Sequence, residues 1–355
     1  MRRLNGLYIL DTDALDQIYG AAERAAIERH VDLVALPQTR HSIAENPALL
    51  RNVDVIFSGW GGPQLSEALL DAAPKLKAFF YGAGTVGHLI TEAVWERGIQ
   101  VTTANAANAV PVAEYTVAMI TLALKQVWRF QRATRDARTF MRNDSDIAGA
   151  YGSSVGLISL GTCGRAVLSR LRGFDVNVVA YDPFVNRAEA EKVLRIGLVA
   201  LPELFRRCDV VSLHSPNLEE TRGMITGELL MSMKPGATFI NTARGDIVRE
   251  DEMLAVAARR PDLQFIVDVT EPEPPPADSP FYTLPNVLLT PHVAGSIGPE
   301  CRRMGRYMVE ELERFVKQQP LKWLVTQESC RHSTHRPVVV TTYITPKPRK
   351  PAPAV

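Results

Sequence analysis

An excess of charge of one sign is missing from this sequence, and with it a class of partners. Its 355 residues carry 40 Lys/Arg against 39 Asp/Glu, so nothing marks nucleic acid or a membrane surface as a target. Residues 328–355 alone hold five Lys/Arg and one acid, which leaves 35 against 38 for the rest. Cysteine is scarce too. Cys163, Cys208, Cys301 and Cys330 show neither metal-ligand spacing nor a paired framework, which fits a reducing cytoplasm and predicts no metal site. Long apolar runs are also lacking. The N-terminus meets Asp11 and Asp13 after a short apolar run, so no signal peptide is expected. Within a helix read from Glu114, the uncharged stretch Tyr115–Leu124 is too short to span a bilayer. No repeat of fixed period is present. With 46% hydrophobic residues, the chain suits two cored domains of a soluble, cytoplasmic protein.

The stretch Ser154–Asp182 organises the rest. An apolar run ends in Leu160-Gly-Thr-Cys-Gly164, a helix-period segment follows, and a β-branched run ends in an acid. That is a β-α-β unit. Gly161 lets backbone approach a pyrophosphate, Gly164 lets helix and strand pack closely, and the helix N-terminus offers N–H groups to an anion. Asp182, 18 residues after Gly164, stands where an acid reaches the ribose hydroxyls of NAD. Ser159 occupies the place of the first glycine of a full GxGxxG, so the turn alone is a weak signal and a purely structural turn is its rival. The acid shifts the balance toward dinucleotide binding.

Strands are predicted at 7–10, 31–36, 53–57 and 76–81, with helical patterns at 14–29 and 63–73 between them. This alternation predicts an open parallel sheet covered on both faces. The loops Ser58–Gly62, containing Trp60, and Tyr81–Thr85 follow strand ends, where ligands of such sheets bind; tight turns explain their glycines as well. Residues 105–112 are small and polar, a helix is expected at 114–129, and the first interdomain crossing falls near 104–108. Arg129, Arg132, Arg135, Arg138 and Arg142 read as a solvated face. Six further strands (155–159, 176–181, 210–213, 238–241, 264–269, 287–290) complete a second sheet, and 300–318 is an amphipathic helix. Residues 328–355, with five prolines, predict a disordered tail.

Arg244, Glu273 and His292 stand at the carboxyl ends of consecutive predicted strands of the second sheet. Each alone is an ordinary surface or turn residue; together they supply an anion clamp, a carboxylate and an imidazole, a set suited to acid–base chemistry beside a nicotinamide. At His214-Ser-Pro216, Met233–Gly245, Asp268–Pro274 and Thr290–Ser296 the sequence resembles the D-isomer-specific 2-hydroxyacid dehydrogenases over roughly residues 50–320. The resemblance implies two doubly wound parallel-sheet domains. One is a flavodoxin-like substrate domain, residues 1–104 and 294–327, and the other a Rossmann-type NAD-binding domain, residues 105–293.

By position the resemblance makes Arg244 the carboxylate clamp, His292 the acid/base and Glu273 its partner. Asp268 would meet the nicotinamide carboxamide. Gly161, Thr162, Cys163 and Gly164 would hold the pyrophosphate, His214, Ser215, Pro216 and Thr242 would line the nicotinamide side, and Thr221 would complete the cofactor contacts. Gly82, Ala83 and Gly84 would present N–H groups to the substrate carboxylate, with Trp60 as a pocket wall. Cys163 replaces an aliphatic residue, leaving open an activated thiol or an inert one. The acid usual after Gly84 is absent, with Gly87 near its place. The expectation is a homodimeric, NAD-dependent oxidoreductase of a small 2-hydroxy or 2-keto acid. A rival class is an NAD(H)-sensing, corepressor-like binding protein on the same fold.

Overall fold

The computed structural model describes residues 3–141 and 147–334. Arg142 and residues 335–355 of the predicted tail lie outside the described residues. Two sheets are built from thirteen strands: β1 Leu4–Ile9, β2 Val31–Leu33, β3 Val55–Ser58, β4 Ala78–Tyr81, β5 Gln100–Thr103, β6 Ser154–Ile158, β7 Asn177–Tyr181, β8 Gly197–Leu198, β9 Val210–Leu213, β10 Thr238–Asn241, β11 Gln264–Val267, β12 Val287–Leu289 and β13 Leu324–Val325. The first sheet has the order β13-β5-β4-β3-β1-β2 and is parallel except where β13 pairs antiparallel with β5. The second, β12-β11-β10-β9-β6-β7-β8, is parallel throughout. Every residue of β3, β4, β9 and β10 is buried, as continuous apolar strands covered on both faces require.

β5, β8 and the two-residue β13 extend the sheets beyond the sequence reading. β5 is short and carries two threonines, and β8 has only two residues, too little pattern to register. The helix expected over 14–29 is two helices, Thr12–Ile18 and Ala21–Glu28, parted at Gly20. Tyr19, at that break, is fully buried and donates its hydroxyl to the Ser58 carbonyl, 2.8 Å away.

The helix expected from Glu114 begins at Asn105 and runs to Leu124, with Pro111 inside it. Counted in full it is long and apolar enough, by length and composition, to cross a bilayer, and half of that window is buried inside the protein. Ala113, Val117, Ile120 and Leu124 join a core with Val155, Leu157 and Val167 of the second sheet and its first helix. A second helix, Val127–Ala137, follows a left-handed Gln126 and buries none of its residues.

The tail expectation needs correction at its start. Gln327–Arg331 is a helix capped by Thr326, and Cys330 is 6% exposed in the core of the first sheet. An apolar thiol one helical turn from the cap gave that segment a face to bury.

Candidate active site

The second sheet reverses its strand order at β6, which lies between β7 and β9; beyond the carboxyl ends of such strands a crevice opens. The helix Thr162–Leu171 starts there with Gly161 as its N-cap, and both Gly161 and Thr162 are exposed. A Cβ on Gly164 would stand 2.0 Å from the Ser159 carbonyl oxygen, so only glycine permits this turn. Ser159 itself has φ of 77°, a left-handed backbone that costs a non-glycine residue about 1–2 kcal/mol. The turn therefore keeps a glycine's conformation where the glycine is gone. Asp182 holds it from the side: its carboxylate accepts from Leu160 N at 2.7 Å and from Phe184 N and Val185 N at 2.8 and 3.1 Å.

These features fit a dinucleotide. The exposed helix start supplies N–H donors, Gly164 keeps the cradle free of side chain, and Asp182 stands at the end of β7. His214 lies at the end of β9, 8% exposed, with Nε2 3.0 Å from Ser212 Oγ. Burial pushes its imidazole down to about 4, so it is neutral at physiological pH. Ser215 is buried beside it, while the Thr221 hydroxyl donates to the Pro216 carbonyl at 2.7 Å and shapes the loop. Thr242 Oγ1 reaches Thr116 Oγ1 of the long helix at 3.4 Å.

Arg244 follows β10. The Asn241 side chain spans its turn, donating to the Arg244 carbonyl and accepting from Ala243 N, both at 2.9 Å. A Cβ on Gly245 would stand 2.2 Å from the Thr270 carbonyl carbon, so this turn is pressed against the segment after β11 that carries Glu273. The guanidinium donates through Nη1 to the Ala243 carbonyl, and its buried Nε has no partner. Burial holds it below the ordinary arginine value, against the pull of Cys163 and Glu273. A buried donor without a partner suits an anion not present in the protein itself. Burial pushes the Cys163 thiol up to about 11, which argues against an activated thiolate there.

His292 Nδ1 and Glu273 Oε1 are 2.7 Å apart, with both side chains about one-fifth exposed. His292 has φ of 52°, and Asp268 shows what holds it there. Asp268, 1% exposed, accepts from Val293 N and Ala294 N at 2.9 Å and from the Thr290 hydroxyl at 2.6 Å. Thr290 in turn lies 2.9 Å from Tyr115 Oη; with its own proton committed to Asp268, it accepts from the tyrosine. Asp268 is thus first a clamp on the turn that aims His292.

The first sheet contributes the facing wall. Gly82 N is already bonded to the Ser58 carbonyl at 2.8 Å, so the expectation that it meets a substrate carboxylate is corrected. Among the described residues, the N–H groups of Ala83 and Gly84 carry no hydrogen bond, while their carbonyls are held by the Thr103 hydroxyl. Trp60 is 36% exposed in the neighbouring loop. Asn108 ties the halves together, accepting from Ser296 N at 2.8 Å. The sequence reading missed His88. Its Nδ1 is buried without a partner, and burial followed by the Arg244 charge holds it below its ordinary value. His88 lies four residues beyond Gly84, and that nearness was its one signal.

Two parallel sheets, a dinucleotide turn and an Arg–Glu–His set define the class: an α/β protein with a nicotinamide-type cofactor domain. Residues 117–294 match the family model described as D-isomer specific 2-hydroxyacid dehydrogenase, NAD binding domain, and the chain belongs to that family, with NAD as its cofactor. A glyoxylate reductase of Korarchaeum cryptofilum is 30% identical over 85% of this chain and 92% of its own length. A D-3-phosphoglycerate dehydrogenase of Archaeoglobus fulgidus is 30% identical over 76% of this chain and 51% of its own; the chain spans about half the length of such dehydrogenases. A Rhizobium etli phosphoglycerate oxidoreductase structure, 22% identical, superposes with a TM-score of 0.78 over 92% of this chain and 99% of that one, showing the shared fold.

Proposed function

We propose that the protein is an NAD-dependent oxidoreductase of a small 2-hydroxy or 2-keto acid. The observation that carries this is the 2.7 Å His292–Glu273 pair on the same carboxyl edge as the buried guanidinium of Arg244. Arg244, with the N–H groups of Ala83 and Gly84, holds the substrate carboxylate, and its fixed charge stabilises negative charge on the C2 oxygen. Glu273 accepts Nδ1–H of His292, which leaves Nε2 facing the substrate with its tautomer set. In reduction His292 gives its Nε2 proton to the C2 oxygen; in oxidation it removes that proton. Bound NAD(H) supplies or accepts the hydride at C2. Residues 1–104 with 294–327, extended by the helix to Arg331, form the substrate side, and 105–293 the cofactor side.

Asp182 favours NAD(H) over NADP(H), since a carboxylate repels a 2′-phosphate. The helix Val127–Ala137, none of whose residues is fully buried in one chain, together with Phe140 at 94% exposure, supports a homodimer with isologous contact there. All four cysteines are free, in keeping with a cytoplasmic location. Steady-state rates with NADH against a panel of 2-keto acids test the proposal. Saturable turnover supports it, and tight NADH binding with no turnover of any of them would favour the corepressor-like reading.

A further inference from the structure

The end of the described chain crosses from one half of the molecule to the other. Gln327 donates to Glu92 of the first half at 2.7 Å, and Cys330 is buried in that half's core. Two residues later the His332 ring meets the Phe184 ring at 4.7 Å between centroids. The Thr334 hydroxyl then accepts from Asn217 N at 3.1 Å, and Thr334 is 3% exposed. Phe184 lies just beyond Asp182 at the end of β7, and Asn217 just beyond His214–Pro216 after β9. Those strands flank β6, two strand spacings or about 10 Å apart. Residues 332–334 therefore bridge the loops that follow β7 and β9, the two strands beside β6.

The path continues toward acid. Asn217 Nδ2 donates to Asp246 at 3.0 Å, and Asp246 lines a groove with Asp251, Glu271 and Asp278. The chain that follows Thr334 carries Arg336, Lys347, Arg349 and Lys350 and no Asp or Glu. Its 21 residues reach far more than the width of that groove even when partly folded back, at about 3.3 Å per extended residue.

We propose that this edge, from Phe184 past Asn217 to the acidic groove at Asp246, is a docking surface for the chain's own C-terminal segment from His332 onward. Docked there, the segment and the adenosine half of the cofactor exclude one another. The proposal rests on the NAD reading above, because Asp182, two residues before Phe184, marks where the adenosine ribose lies. A segment seated about nine-tenths of the time weakens the cofactor about tenfold, since only the undocked fraction binds it. Its anchor at Cys330 keeps it beside the site when displaced, so docking is intramolecular and reversible.

The test uses the full chain and a full-length His332→Ser/Thr334→Ala variant, which removes the ring contact and the hydroxyl acceptor and touches no residue assigned to chemistry. NADH affinity is measured by fluorescence titration, and tryptic cleavage of the Arg331–His332 bond is timed with and without saturating NADH. The expected results are an NADH Kd about tenfold lower in the variant and faster cleavage of the unmodified chain when NADH is present. Equal affinity, or weaker affinity in the variant, would overturn the proposal; the weaker case would make the segment a wall of the cofactor site. If neither protein binds NADH, the cofactor reading falls and takes this proposal with it.

Discussion

His292 Nδ1 and Glu273 Oε1 meet at 2.7 Å, although nineteen positions separate them and both sit on turns. The contact is possible because His292 adopts φ of 52° while Asp268 grips the two N–H groups that follow it. Glu273→Gln keeps an acceptor for Nδ1 but removes the charge. We expect kcat to fall roughly tenfold or more and NADH affinity to stay level. His292→Gln should remove about 10²–10⁴ of the rate. Steady-state kinetics alongside NADH titration checks both.

Arg244→Lys retains a positive charge and loses the planar fork. The expected outcome is a higher KM for the keto acid with a lower kcat, together about 10²-fold or more in kcat/KM, and little change for NADH. A matching collapse of NADH affinity would show that Arg244 supports the fold instead of holding substrate.

Ser159 is held at φ of 77°, so glycine there relieves a strained backbone. Ser159→Gly should raise unfolding free energy by about 1 kcal/mol, offset in part by the greater freedom of glycine in the unfolded chain. Urea denaturation measures it. A loss of stability would mean that the serine side chain does more than the turn conformation suggests.

Glu250 offers a pH prediction away from the chemistry. Burial, and after it the neighbouring Glu271, Asp246 and Asp251, raise its carboxyl from 4.5 to about 8, against a hydrogen bond from Glu271 N. Between those values the folded chain binds more protons than the unfolded one, so this group makes stability fall as pH rises from about 4.5 to 8. Glu250→Gln should therefore gain more stability over the parent at pH 8 than at pH 5. Thermal melts at the two pH values report it, and an equal gain at both would contradict the assignment.

How far the sequence revealed this molecule varied with the kind of signal. Strands such as Val210–Leu213 and Thr238–Asn241 were readable to the residue, because a buried parallel strand is a continuous apolar run bounded by turn residues. The helix Asn105–Leu124 was expected to start nine residues late, at Glu114, since small polar residues and Pro111 argue locally against helix and only packing on the second sheet overrides them. In the site, residues at strand ends could be read from topology. His88 and Asn108 could not, because they reach the centre only when the two halves come together, nor could Tyr115, whose partner Thr290 is 175 residues away in the chain. Ser159 looked like a defect in a motif; its dihedral shows the motif's shape retained at a cost.

Transfer of hydrogen itself tests the central claim most directly. The full chain is supplied with NADH deuterated at C4 and a turned-over 2-keto acid, and the product is analysed by mass spectrometry and NMR. The account predicts one deuterium at C2 of the resulting 2-hydroxy acid, and strongly reduced labelling with the Arg244→Lys and His292→Gln variants. Bound NADH with no label appearing in any 2-keto acid would contradict it.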